Sequence, residues 1–176
     1  ALFNGLITDP EGRPVVPTYS TKGTRRYSFY ETRKDLARPG DPAATRFQQG
    51  AFDQHVMSCI CDLLADEHAL RRLAKMSDAG SLRALFERAK GLLDRLEQKG
   101  LSASALRILI KAISICSDHL QVTLDPAALG AMEQAMWTMQ IPQPARRPFR
   151  ELRLRIDAAP RGLSANPQLV KLIAEA

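Results

Sequence analysis

Leu2–Lys34 reads LFNGLITDPEGRPVVPTYSTKGTRRYSFYETRK, two strand-like runs flanking Pro/Gly turns. The predicted strands are Leu2–Thr8 and Gly23–Thr32. Asp9-Pro10-Glu11-Gly12 has turn chemistry, because Pro presets φ and Gly accepts a positive φ. The second run is basic, with Lys22, Arg25, Arg26, Arg33 and Lys34 interleaved with Tyr19, Tyr27, Phe29 and Tyr30. Alternation along a strand sends Arg26 and Ser28 to one face and Tyr27 and Phe29 to the other. One face is therefore expected to bury aromatics while the other presents charge to phosphates. Such contacts supply most non-specific DNA affinity. The plainer alternative is an edge strand whose charges block aggregation.

Working outward, a Pro/Gly-rich connector is expected over residues 38–49, followed by helices. Phe52, Val56, Cys59, Ile60 and Leu63 share one helical stripe. A short helix is predicted at His68–Lys75. Leu82, Leu85, Phe86, Ala89, Leu92, Leu93 and Leu96 form a clear amphipathic helix, with Ser81 as expected N-cap and Gly100 past its end. Strand patterns then return. Arg107–Cys116 is rich in isoleucine, Ser117-Asp118-His119 suits a turn, and Leu120–Leu124 alternates with period two. Asp125-Pro126 opens a short helix reaching Met136, with Asp125 as N-cap. Trp137–Ile141 and Arg150–Ile156 are further expected strands, and Asn166-Pro167 opens a last helix. The expected class is α+β: small antiparallel β elements around a helical middle. Three segments follow: residues 1–50, a ribbon-like DNA-binding part; 51–103, helical; and 104–176, hairpin, short helix, strand and closing helix, packed with the first as one unit.

At 176 residues the chain can build one sizeable core. Its formal charge of +6 is unevenly placed. Residues 1–50 hold eight Lys/Arg against five Asp/Glu, residues 51–141 ten against eleven, and residues 142–176 seven against three. Both ends are basic, which favours an anionic partner there. Cys59, Cys61 and Cys116 make an odd count without ribbon spacing, as expected of reduced thiols in a cytosol. No apolar run approaches the roughly 20 residues of a membrane span, and no membrane partner is expected. The chain opens Ala-Leu-Phe without an initiator Met, which reads as an excised part of something longer.

No catalytic constellation emerges from these residue types. His55 and Cys59 lie four apart on an expected helix, but no second pair completes a zinc tetrad. Cys116 and His119 are close in sequence, yet no oxyanion donor or orienting acid accompanies them. The segment is expected to have no catalytic residues, no metal and no cofactor. A second basic run, Arg146, Arg147 and Arg150 with Arg153 and Arg155, is the other candidate DNA contact. Arg153 and Arg155 would share a strand face if Leu152, Leu154 and Ile156 pack inward.

The first segment resembles a region downstream of the catalytic domain in large serine recombinases of the resolvase/invertase family. There an apolar strand leads into CxxCG, and a basic strand ends in Tyr-x-Cys. Here Leu6-Ile7-Thr8 precedes Asp9-Pro10-Glu11-Gly12, so Thr8 and Glu11 stand where the first two cysteines would, and Gly12 matches the glycine. Tyr30-Glu31-Thr32 puts Thr32 in the next cysteine's place. Pro17-Thr18, Lys22-Gly23 and Arg26-Tyr27 are similar to a zinc-less branch of that family, and Ile113–Leu124, Pro126–Met136, Ile141–Ile156 and Asn166–Ala176 resemble its later elements. The resemblance implies a DNA-binding C-terminal region with no zinc site. It would position double-stranded DNA, at the bacterial nucleoid in the cytoplasm, for site-specific recombination or DNA integration. Catalysis would proceed through a phosphoseryl link from an N-terminal domain, and other recombinase subunits are implied partners. The competing expectation is a protein-interaction or oligomerisation module that uses the Leu82–Leu96 helix.

Overall fold

The first strand does not join the ribbon that follows it. In the computed structural model, which describes residues 1–36, 39–40, 44–97, 102–131 and 135–144, β1 is only Ile7–Thr8. Residues 2–6 form turns instead, with Gly5 at φ +81° and the Leu6 amide donating to the Phe3 carbonyl at 3.1 Å. β1 pairs in parallel with a strand more than a hundred residues later, placing Ile7 beside Ile113. Val15–Lys22 (β2) and Arg25–Thr32 (β3) form the antiparallel ribbon, and Arg46–Gln48 (β4) adds a third strand beside β3. The expected strand Gly23–Thr32 therefore begins two residues later, because Gly23 is in the turn. β2 was not expected, because Pro14 and Pro17 interrupt its apolar pattern. Pro17 is tolerated because β2 is an edge strand, where a missing ladder donor costs little.

The helices follow at Gln49–Ala65 (α1), Glu67–Ala74 (α2), Ala79–Glu97 (α3) and Ser102–Leu109 (α4). α1 begins within the expected connector. Asp66 caps α2, its carboxylate accepting from the His68 and Ala69 amides. At α3 the capping acceptor is Asp78 rather than Ser81: its carboxylate accepts from the Ser81 amide at 2.7 Å. Gly100 lies outside the described residues. The chain passes directly from α4 into Ile110–Ile115 (β5), so the expected strand from Arg107 is helical over its first three residues. Ala105, Leu106 and Leu109 bury at helical spacing, and their packing outweighs the β-preference of Ile108, which is left 57% exposed.

β5 pairs with His119–Leu124 (β6), which pairs with Trp137–Pro142 (β7), giving the order β1-β5-β6-β7. Asp125 caps a 3-10 turn at Pro126–Leu129, as expected, but Gly130 at φ +81° ends it well short of Met136. The class is α+β, with a helical middle between the two sheets. Ala1–Ala145 form one unit whose core runs from Phe3, Tyr30, Phe47 and Phe52 through α1 and α3 to the isoleucine-rich β5. Phe52 is the hub of the aromatic part, with ring centroids 5.3 Å from Tyr30, 5.4 Å from Phe47 and 6.3 Å from Phe3. Among the described residues no helix is long and apolar enough to cross a membrane. Arg150–Ile156 and Asn166–Ala176 lie outside the described residues.

Candidate nucleic-acid interface

Lys22 pairs with Arg25 across a two-residue turn, Gly23-Thr24. Gly23 takes φ +62° and Thr24 does not have a positive φ, the arrangement of a type II′ hairpin. This tight turn fixes the register, so Thr21 faces Arg26, Tyr19 faces Ser28 and Pro17 faces Tyr30 on one side of the ribbon. Lys22 with Arg25, Ser20 with Tyr27 and Thr18 with Phe29 occupy the other. At its base the first side is core: Tyr30 is fully buried beside Phe47 and Phe52. Towards the tip, Tyr19–Lys22 and Arg25–Ser28 are exposed on both faces. The ribbon thus extends into solvent carrying Lys22, Arg25 and Arg26, with Tyr19 at 66% and Tyr27 at 40% exposure.

This geometry corrects the expected division of faces. The buried aromatic is Tyr30, which shares its side with Arg26 and Ser28. Tyr27 is exposed, and Phe29 is half-buried under the Arg46 guanidinium, 3.8 Å from the ring centroid. Neither is the core residue that alternation predicted, because both lie on the face opposite Tyr30, and it is the Tyr30 face that packs against Phe47 and Phe52. Arg26 also has a partner that strand alternation alone does not reveal. Its guanidinium carbon lies 3.8 Å from the centroid of the Tyr19 ring, its diagonal neighbour across the strands. The signal was present in the sequence, since a two-residue loop at Gly23-Thr24 makes Tyr19 and Arg26 diagonal.

Arg33 and Lys34 lie at the base and are engaged by carboxylates. Arg33 donates through Nε to Asp35 at 3.1 Å and pairs with the same carboxylate through Nη2. Lys34 Nζ is 2.7 Å from Glu31, which also accepts from Thr18 and lies 3.7 Å from Arg46 Nε. Lys34, by hydrogen bonding first and by its charge, holds the Glu31 carboxyl below the usual range, with Arg46 assisting. The Glu31 contribution to stability is therefore present above the ordinary carboxylate range and is lost only as acid passes its lowered pKa. Lys22, Arg25 and Arg26 have no ion pair with a carboxylate among the described residues. Arg146, Arg147, Arg150, Arg153 and Arg155 lie outside those residues.

At the turn before the ribbon, the three positions aligned with cysteines are bonded elsewhere. Thr8 Oγ1 donates to Ser114 Oγ at 3.3 Å, Glu11 accepts from Arg13 Nη2 at 3.2 Å, and Thr32 Oγ1 accepts from the Thr45 amide at 3.1 Å. The turn is gathered by Asp9. One of its carboxylate oxygens accepts from the Arg13 amide at 2.8 Å and the Glu11 amide at 3.1 Å, and the other from Arg13 Nε at 2.6 Å. Its side chain is fully buried. Among the described residues no three His, Cys, Asp or Glu side chains cluster as a metal site. Dialysis against a strong chelator should therefore leave the thermal midpoint unchanged. A fall in the midpoint, or stoichiometric zinc that survives dialysis, would contradict this account of the turn.

Of the other sequence candidates, Cys116 and His119 are joined across the turn, the Cys116 amide donating to the His119 carbonyl at 2.9 Å. His55 Nε2 lies 2.7 Å from the Pro142 carbonyl, and Cys59 is half-buried against the core. His119 Nδ1 bonds Asp118 at 2.7 Å, while Cys116 Sγ lies 4.0 Å from the Ser114 carbonyl. On α3, Leu82, Leu85, Ala89, Leu92 and Leu96 are buried in this chain itself, leaving Phe86 and Leu93 half-buried along a groove. Comparison with protein-family models, curated proteins and solved structures finds no match to this chain.

Proposed function

We propose that the chain is a duplex-DNA-binding module that grips phosphates with the free end of the β2–β3 ribbon. One observation carries this reading: Lys22 and Arg25 are held directly opposite one another, Arg26 follows, and none is paired with a carboxylate among the described residues. Like charges directly opposite on a ribbon are destabilising in the free protein. A polyanion removes that repulsion and gains charge-assisted hydrogen bonds. The basic ends of the sequence favour the same kind of partner. Arg33 and Lys34, already tied to Asp35 and Glu31, would contribute less than the tip.

The resemblance of the Leu6–Gly12 turn and the Tyr30–Thr32 strand end supports a more specific reading. The module would position DNA for a serine-type site-specific recombinase, with the phosphoseryl chemistry and subunit assembly supplied by the rest of that protein.

Removal of the tip cations is the test. The double variant Lys22→Ala, Arg25→Ala should weaken binding to a random duplex by about a hundredfold or more, since each of the two charged contacts is worth about 1.5–3 kcal/mol. Arg33→Ala with Lys34→Ala should weaken it much less. Equal losses from both variants would move the interface to the ribbon base, and no loss from either would remove DNA from the account.

A further inference from the structure

The ribbon tip has two chemically different faces. On the Phe29 side, Lys22 and Arg25 form a pair of opposed point charges. On the Tyr30 side, the Arg26 guanidinium carbon lies over the Tyr19 ring, 3.8 Å from its centroid, and Thr21 and Ser28 are their cross-strand partners in register. An aromatic face beneath a guanidinium restricts its rotation while leaving the N–H edge free to donate. A planar fork held in this way suits bidentate recognition better than a flexible arm does. The exposed length, four residues on each strand, extends roughly 13 Å at about 3.3 Å per residue. The major groove is about 8.5 Å deep and about 12 Å wide, and it admits a two-stranded ribbon.

We propose that Arg26, stacked on Tyr19, reads a guanine edge in the major groove, while Lys22 and Arg25 hold the flanking phosphates. This rests on the DNA-binding reading above and assigns the ribbon's two faces separate tasks. Guanine offers O6 and N7 as adjacent acceptors, matching two parallel guanidinium N–H groups. Lysine has the same charge but no planar fork, so Arg26→Lys separates charge from geometry. Tyr19 is a positioning residue: it acts through Arg26.

The experiment is selection of bound duplexes from a randomised library by the wild-type chain and by Arg26→Lys, Arg25→Ala and Tyr19→Leu, each checked by a thermal melt. Both Tyr19 and Arg26 are exposed, so these variants should fold. The wild type should enrich guanine at one position by about 5- to 150-fold, the range expected of one bidentate contact. Arg26→Lys should abolish that enrichment with little loss of affinity for random duplex. Arg25→Ala should lower affinity for every sequence and keep the enrichment. Tyr19→Leu should reduce the enrichment. A wild type that binds all duplexes equally, or an Arg26→Lys variant that keeps the preference, overturns the guanine assignment and leaves DNA binding standing. Tighter binding to single strands than to duplex, lost in Tyr19→Leu, overturns it in favour of base stacking. No binding to any duplex would defeat the functional reading itself.

Discussion

Asp9→Ala should cost about 3–5 kcal/mol of stability, the loss expected when one partner of a buried ion pair is removed. The Asp9 side chain is fully buried and Arg13 is 8% exposed, so water cannot replace what the carboxylate supplies. Its removal takes a carboxylate at 2.6 Å from the Arg13 guanidinium, which also lies 3.2 Å from Glu11, and strips the Glu11 and Arg13 amides of their acceptor. The consequence reaches beyond the turn. Asp9 lies between β1, which pairs with β5, and β2, the start of the ribbon. Chemical denaturation of the variant reads the loss as a lower midpoint at unchanged slope. Adding Arg13→Met to Asp9→Ala should recover part of the stability, because the uncompensated charge is gone. A loss below about 1 kcal/mol would mean that the turn is held by something other than this carboxylate.

Tyr30→Ala should destabilise the chain by an equal or larger amount, about 3–5 kcal/mol for the lost ring alone. The ring is fully buried against Phe52, and its hydroxyl ties three segments together. It donates to Asp53 Oδ1 on α1 at 2.8 Å and accepts from the Phe3 amide at 3.1 Å. Tyr30→Phe isolates that second component. It keeps the ring but leaves a buried carboxylate oxygen and a buried amide without their partner, at a cost of about 1–3 kcal/mol. Burial, together with Asp53, holds the Tyr30 phenol well above its ordinary pKa, although the Phe3 amide opposes this. A raised acid pKa in the folded state gives stability that is complete below the unfolded value of about 10. It is lost as the pH rises beyond that. The wild type should therefore weaken at strongly alkaline pH, and Tyr30→Phe should lack this part of the loss. Since Tyr30 anchors the ribbon base, Tyr30→Ala should also lower DNA affinity, whereas Tyr27→Ala, at an exposed position, should leave stability nearly unchanged.

Elements whose own sequence demands burial were legible in the chain. The Phe52–Leu63 stripe, the Leu82–Leu96 helix, the β5–β6 hairpin and the Asp125 cap all have local signals that agree with their packing. Elements decided by distant partners were not. Ile7–Thr8 looks like a ribbon strand but completes a sheet with β5, a pairing that turn chemistry cannot reveal. Ile108 and its neighbours look like strand, yet Ala105, Leu106 and Leu109 find a helical bed in the core. At the interface, residue types at the tip were legible, but their environment was not. Strand alternation assigns Tyr27 and Arg26 to opposite faces correctly, but it does not show where along the ribbon the body ends. That boundary buries Tyr30 and leaves Tyr27 and Tyr19 in solvent.

The central claim is that the free ribbon end holds duplex DNA through phosphate contacts from Lys22 and Arg25. The most direct measurement is the equilibrium constant for a random duplex at several salt concentrations, for the wild type and for Lys22→Ala, Arg25→Ala. Each phosphate contact contributes about 0.9 to the slope of log K against log salt, so losing two should make it shallower by about 1.8. A double variant that binds with the wild-type affinity and the wild-type slope would contradict the claim, and the ribbon would then be a solvated edge.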